Sequence, residues 1–162
     1  MIQRIQTIYL ALVAILSFVA LITRIGYYTI EHEVVVAAFN NFTFNSFEQF
    51  QSYESAGPFC LGILLIMVIF ISVLSIMLFR KRMRQLRLTI MSTMLLLGYC
   101  LSYAAFAYFY QGNLECLIPS ADITFHFNYT ATFPVICIIL NMMAIHGIRK
   151  DEALVRSLDR LR

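Results

Sequence analysis

Four runs of apolar residues, 5–23, 58–79, 88–110 and 127–148, contain no Asp, Glu, Lys or Arg. Runs of about 20 such residues are what α-helices need to cross roughly 30 Å of hydrocarbon, where every backbone N–H and C=O must be satisfied inside the helix. The composition points the same way: 60% of the 162 residues are hydrophobic and 13% charged, outside the balance of a soluble domain. The expected fold class is an all-α integral membrane protein, a four-helix transmembrane bundle in a single domain, 1–162, with no linker-like stretch and no repeat. The first run follows Arg4 as a signal peptide would. Phe18 stands where cleavage after Ala20 needs a small residue, so the run reads as a retained helix.

Basic residues give the sidedness, because short loops rich in Lys and Arg stay cytoplasmic. With both termini inside, eleven of the twelve bases are cytoplasmic and only Arg24 is outside. Three acids accompany the eleven and six accompany Arg24, so the two sides carry net charges of +8 and −5, which sum to the +3 of the chain. Tyr27, Tyr28, Tyr108, Phe109, Tyr110, Phe125, Phe127 and Tyr129 fall at the outer boundary, where amphipathic rings collect.

The outer loops are 24–57 and 111–126. The first contains "YYTIEHEVVVAAFNNFTF", β-branched and aromatic residues interrupted by "NN", which predicts two short strands around a turn. In the second, Ile123, Phe125 and Phe127 alternate with Thr124 and His126, a third strand. Together they predict a small three-stranded, β-rich extracytoplasmic cap.

On the cytoplasmic side the loop 80–87, "RKRMRQLR", gathers Arg80, Lys81, Arg82, Arg84 and Arg87. These charges set topology and attract anionic membrane lipids; no aromatics interleave with them, so nucleic acid is not an expected partner. In the tail, 149–162, Leu154, Leu158 and Leu161 recur at i, i+4, i+7 beside Val155, with Arg156 and Arg160 among the charges of the other face. That is a cytoplasmic amphipathic helix. It suits either the membrane surface or a protein partner, and its net charge of +2, five bases against three acids, is modest for a lipid-bound helix.

Chemistry has few candidates. The spans offer Asn141, expected as hydrogen-bonding glue between helices, and His146 at a boundary. Cys60 and Cys116 lie on the outer side and could form a disulfide, but C-x-x-C is absent. Glu31, His32, Glu33 and His126 do not converge as metal ligands, since consecutive strand residues point to opposite faces. No hydrolase, zincin or phosphate-loop motif occurs. The expectation is therefore no catalytic residues, no metal and no cofactor. "NFT" at 41–43 and "NYT" at 128–130 match the glycosylation acceptor pattern. Gly98, Ser102 and Ala105 make a small-residue stripe for close helix packing, and Pro134 is expected to kink the fourth span.

The opening "MIQRIQTIYL" and the closing "IRKDEALVRSLDRLR" resemble the terminal signatures of the domain of unknown function 4293 family, membrane proteins of the Bacteroidota. The resemblance implies four spans, cytoplasmic ends and a bacterial inner-membrane location; it brings no activity. The function expected is a non-enzymatic membrane scaffold or accessory subunit with a cytoplasmic protein partner. The alternatives are a small-molecule or lipid transporter working as a homo-oligomer, and a membrane thiol oxidoreductase using Cys60 and Cys116.

Overall fold

The computed structural model describes residues 3–30, 34–42, 44–46, 58–78, 82–117 and 123–159. Among them are four helices, α1 (Gln3–Ile22), α2 (Phe59–Met77), α3 (Arg82–Leu117) and α4 (Phe133–Asp159). Strands β1 (Gly26–Ile30), β2 (Val34–Phe39) and β3 (Phe44–Ser46) lie between α1 and α2, and β4 (Ile123–Phe127) precedes α4. Helix α1 packs on α2 and α4, and α3 packs on the same two, so α2 and α4 stand diagonally across the bundle, as do α1 and α3.

Each helix is apolar on both sides. Leu10, Val13, Leu61, Leu65, Val68 and Leu96 are fully buried, while Ile15, Phe70, Met94, Leu101 and Ile139 point outward, Leu101 with 74% of its surface exposed. An apolar exterior on every helix of a bundle is the signature of lipid as solvent. Phe59–Met77, Met83–Gly112 and Tyr129–Ala153 are long and apolar enough to cross a membrane; the apolar part of α1, Gln6–Ile22, is shorter.

The sheet has four strands, not the expected three, in the order β3-β2-β1-β4 and antiparallel throughout. The single stretch read as two strands around "NN" holds three: a chain reversal falls between Ile30 and Val34, and "NN" (residues 40 and 41) separates β2 from β3. The β-branched run on both sides of residues 31–33 hid that reversal, because it contains no Gly or Pro. A bulge between Tyr28 and Thr29 shifts the β1–β2 register.

Four helix boundaries also differ from expectation. Helix α3 begins at Arg82, so Arg82, Arg84 and Arg87 belong to its first turns, not to a loop, and it continues to Leu117, through part of the expected outer loop. At 36 residues it is about 54 Å long, well beyond what hydrocarbon requires. Helix α4 begins at Phe133 after a 3-10 turn, Tyr129–Thr132, which puts Pro134 in the first turn. There its missing N–H costs nothing, and the expected kink has no cause. Finally, the expected tail helix is no separate element: α4 runs unbroken from Phe133 to Asp159.

Candidate functional sites at the two ends of the bundle

At the end nearest the sheet, one residue ties three helices together. The last carbonyls of an α-helix have no partner within it. In α1 the Val19 carbonyl accepts from the Thr23 N–H (3.1 Å) and hydroxyl (2.8 Å). Those of Ala20 and Leu21 accept from Asn41 Nδ2, at 2.6 and 3.3 Å. Asn41 Oδ1 accepts from the Tyr99 hydroxyl of α3 at 2.9 Å, and the Asn41 carbonyl accepts from the N–H of Gly62 in α2 at 3.0 Å. Asn41 is fully buried. Gly62 leaves room beside it for the Phe42 ring, which a Cβ there would displace.

Aromatic rings fill the mouth above this junction. Tyr28 of β1 is fully buried and donates its hydroxyl to the Ala107 carbonyl of α3 at 2.8 Å, which fastens the sheet to α3. Burial, with the neighbouring Tyr103 and Tyr110 phenols, holds the Tyr28 phenol well above the usual tyrosine range, and it keeps the proton it donates. Tyr28 packs on Phe125, and Tyr103 reaches both Phe125 and Phe127. The entry to α4 is fastened to the exit of α1: the Arg24 carbonyl accepts from Asn128 Nδ2 (2.8 Å) and the Thr130 hydroxyl (2.7 Å), and the Ile25 carbonyl from the Asn128 N–H. Both asparagines of the acceptor patterns therefore spend their amides on the fold.

At the opposite end α1 and α4 cross at Gly147, where a Cβ would press on Gln6 at 3.2 Å. Gln6 Nε2 donates to Asp151 Oδ2 at 2.8 Å, and both residues are buried. A carboxylate that looked like part of a solvated tail thus faces the bundle. The described buried positions of α4, namely Pro134, Cys137, Asn141, Ala144, Ile148 and Asp151, recur at threes and fours.

The other expected residues fall as follows. Arg84 and Arg87 are exposed. Arg80, Lys81, Arg160 and Leu161 lie outside the described residues, as do the side chains of Arg82, Leu154, Val155, Arg156 and Leu158. Asn141 is fully buried and donates to Ser92 at 3.2 Å, joining α4 to α3 as glue would. The stripe of Gly98, Ser102 and Ala105 is not used inside the bundle: a Cβ on Gly98 would meet nothing within 4 Å, and Ala105 is exposed.

Cys60 and Cys116 are not brought together, and no disulfide forms among the described residues. Ser75 and Thr89 are in contact at 3.4 Å. Counting along the antiparallel helices from there puts Cys60 level with residue 104, and Cys116 about 18 Å farther along α3. A disulfide needs Cα atoms within about 7 Å. His126 pairs with Tyr27; Glu31, His32 and Glu33 lie outside the described residues. Among the described residues no group of three metal-ligating side chains converges.

The two terminal segments singled out in the sequence are thus in direct contact, through Gln6 and Asp151. The model of the family described as a domain of unknown function, DUF4293, matches residues 2–161. The chain belongs to this family. Membership agrees with the terminal signatures and, like them, carries no activity. Among curated proteins none matches.

Proposed function

We propose that this member of the DUF4293 family is a non-enzymatic accessory or scaffold subunit of a bacterial inner membrane, with four spans, both termini cytoplasmic and α4 docking a soluble partner. Four spans are supported by α1 itself, which runs the full height of the bundle from Gln6, at the level of Asp151, to Ala20, at the level of Asn41. The orientation rests on the distribution of Lys and Arg.

The observation that carries the docking reading is the continuity of α4. A helix lying among headgroups must bend away from the span that delivers it, at a Gly, a Pro or a break in its hydrogen bonds. Between Phe133 and Asp159 there is no break, and Gly147, the last glycine, is occupied in packing against Gln6. The helix therefore projects its leucine-bearing end away from the bilayer, where a protein groove suits it better than lipid does.

The test compares full-length protein with a chain ending at Ala153, which keeps Asp151, by in-cell crosslinking and mass spectrometry at matched membrane levels. The expected outcome is a partner lost with residues 154–162 and lost again when Leu154 and Leu158 are both alanine. An unchanged set of crosslinks overturns the docking reading. A second reading, a homo-oligomer, is favoured by the outward-facing stripe of Gly98, Ser102 and Ala105. It predicts crosslinks between copies through α3.

A further inference from the structure

Between the two ends lies a band of buried polar side chains. The Ser75–Thr89 contact sets the register of α2 against α3. One turn toward the sheet stand Ser72 on α2 and Ser92 and Thr93 on α3. Asn141 Nδ2 donates to Ser92 Oγ and brings α4 into the same layer. Ser72, Ser92 and Thr93 are 1%, 1% and 7% exposed, and Asn141 is 0%. In the next layer toward the sheet each helix contributes a fully buried Val13, Val68, Leu96 or Cys137. On the side of the termini lie Thr89, Ser75 and Gln85, also buried.

Two atoms of the layer, Ser72 Oγ and Asn141 Oδ1, have no hydrogen-bond partner among the described residues. Turning over the Asn141 amide would exchange which of its polar atoms is unmatched and leave the number the same. The Thr93 hydroxyl donates to the Thr89 carbonyl at 2.6 Å, so Thr93 Oγ1 can accept but has no hydrogen to give. An unmatched carbonyl is expensive in a hydrocarbon surrounding, and here it belongs to a helix diagonal to the one that carries the unmatched hydroxyl. The four side chains of the layer are also smaller, on the whole, than the valines and leucine above them.

We propose that Ser72, Ser92, Thr93 and Asn141 form a binding site for one water molecule on the axis of the bundle. The water donates to Asn141 Oδ1 and Thr93 Oγ1 and accepts from the Ser72 hydroxyl, the three bonds usual for buried water. It joins α2 to α4, one of the two diagonal pairs of the ring. A cation is the poorer occupant, because the four side chains of the layer are uncharged and Asp151 lies about 15 Å along α4. The apolar layer of Val13, Val68, Leu96 and Cys137 closes the site toward the sheet. Exchange therefore runs past Thr89, Ser75 and Gln85, and the site is a blind pocket, not a pore.

The test is solid-state NMR of 15N-asparagine-labelled, full-length protein in liposomes, reading magnetisation transfer from water to the Asn141 side-chain amide, assigned by its disappearance in Asn141→Leu. The expected result is transfer in the unmodified protein, weakened in Ser72→Ala and lost in Ser72→Val, whose methyls fill the site. If the valine variant does not insert, the alanine variant carries the test alone, since alanine fits wherever serine does. No transfer in the unmodified protein overturns the proposal. So does equal transfer with and without the Ser72 hydroxyl, which would place the water elsewhere.

Discussion

The two ends of the bundle treat the same physical problem differently. At the sheet end, Asn41 meets backbone or side-chain groups of α1, α2 and α3 through four hydrogen bonds, and residues about a hundred positions apart fasten the exit of α1 to the entry of α4. At the other end α1 and α4 cross over one glycine, Gln6 reaches across to Asp151, and α4 simply continues. In lipid the apolar surfaces of helices gain little by leaving one solvent for another like it, so polar contacts and close packing carry the specificity. Their concentration at the sheet end marks a closed structural junction. At the other end Gln6, Gly147 and Asp151 hold α1 to α4, and α4 runs on to Asp159.

If that contrast is right, Asn41→Ala is the most damaging single change at either end. It removes both donors to the carbonyls of Ala20 and Leu21 and strands the buried Tyr99 hydroxyl. Unpaired buried groups cost about 1–3 kcal/mol each, and partial relaxation brings the expected loss to about 2–4 kcal/mol. Thermal unfolding in detergent micelles measures it. A melting temperature that moves no more than that of a Gln6 variant would erase the contrast between the ends.

How far the sequence speaks for the structure follows from the same contrast. Apolar runs are long and continuous, so the helices and the membrane class are legible in them. Helix ends are set by single residues, and there the reading fails. Pro134 looks like a kink until the helix is seen to begin beside it. Asp151 looks like a solvated tail charge, because only the fold puts Gln6 over Gly147. Asn41, the busiest side chain of the junction, is legible only as part of a turn or of a glycosylation pattern. No local signal announces that its amide reaches two carbonyls twenty residues back and a tyrosine fifty-eight residues on. The separation of Cys60 from Cys116 is likewise a matter of helix length, and the last turns of α3 were hidden in a stretch that reads as loop.

At the end held by Gln6 and Asp151 the expected effects are smaller. Gln6→Ala deprives Asp151 of one donor and uncovers Gly147, with the rest of the α1–α4 interface intact. A hydrogen bond to a charged group contributes about 1.5–3 kcal/mol; one such bond is lost here against three at Asn41, so the same melting experiment should show a loss below that of Asn41→Ala. Equal losses would mean that the termini form a second structural junction.

The smallest effect is expected at Gly98, and its sign is informative. Were the stripe of Gly98, Ser102 and Ala105 a contact between helices of one chain, a methyl group at 98 would force those helices apart and lower the melting temperature. In the structure a Cβ there meets open space, and the position is interior to α3. Gly98→Ala then exchanges a residue of poor helix propensity for the best one, a gain of up to about 1 kcal/mol where nothing else is touched. A higher melting temperature assigns the stripe to lipid. A lower one, if it also depends on protein concentration in the micelle, assigns it to another copy of the chain, because only an interface between copies responds to dilution. A loss independent of concentration would instead bring a helix of the same chain against Gly98 and contradict the arrangement of the bundle.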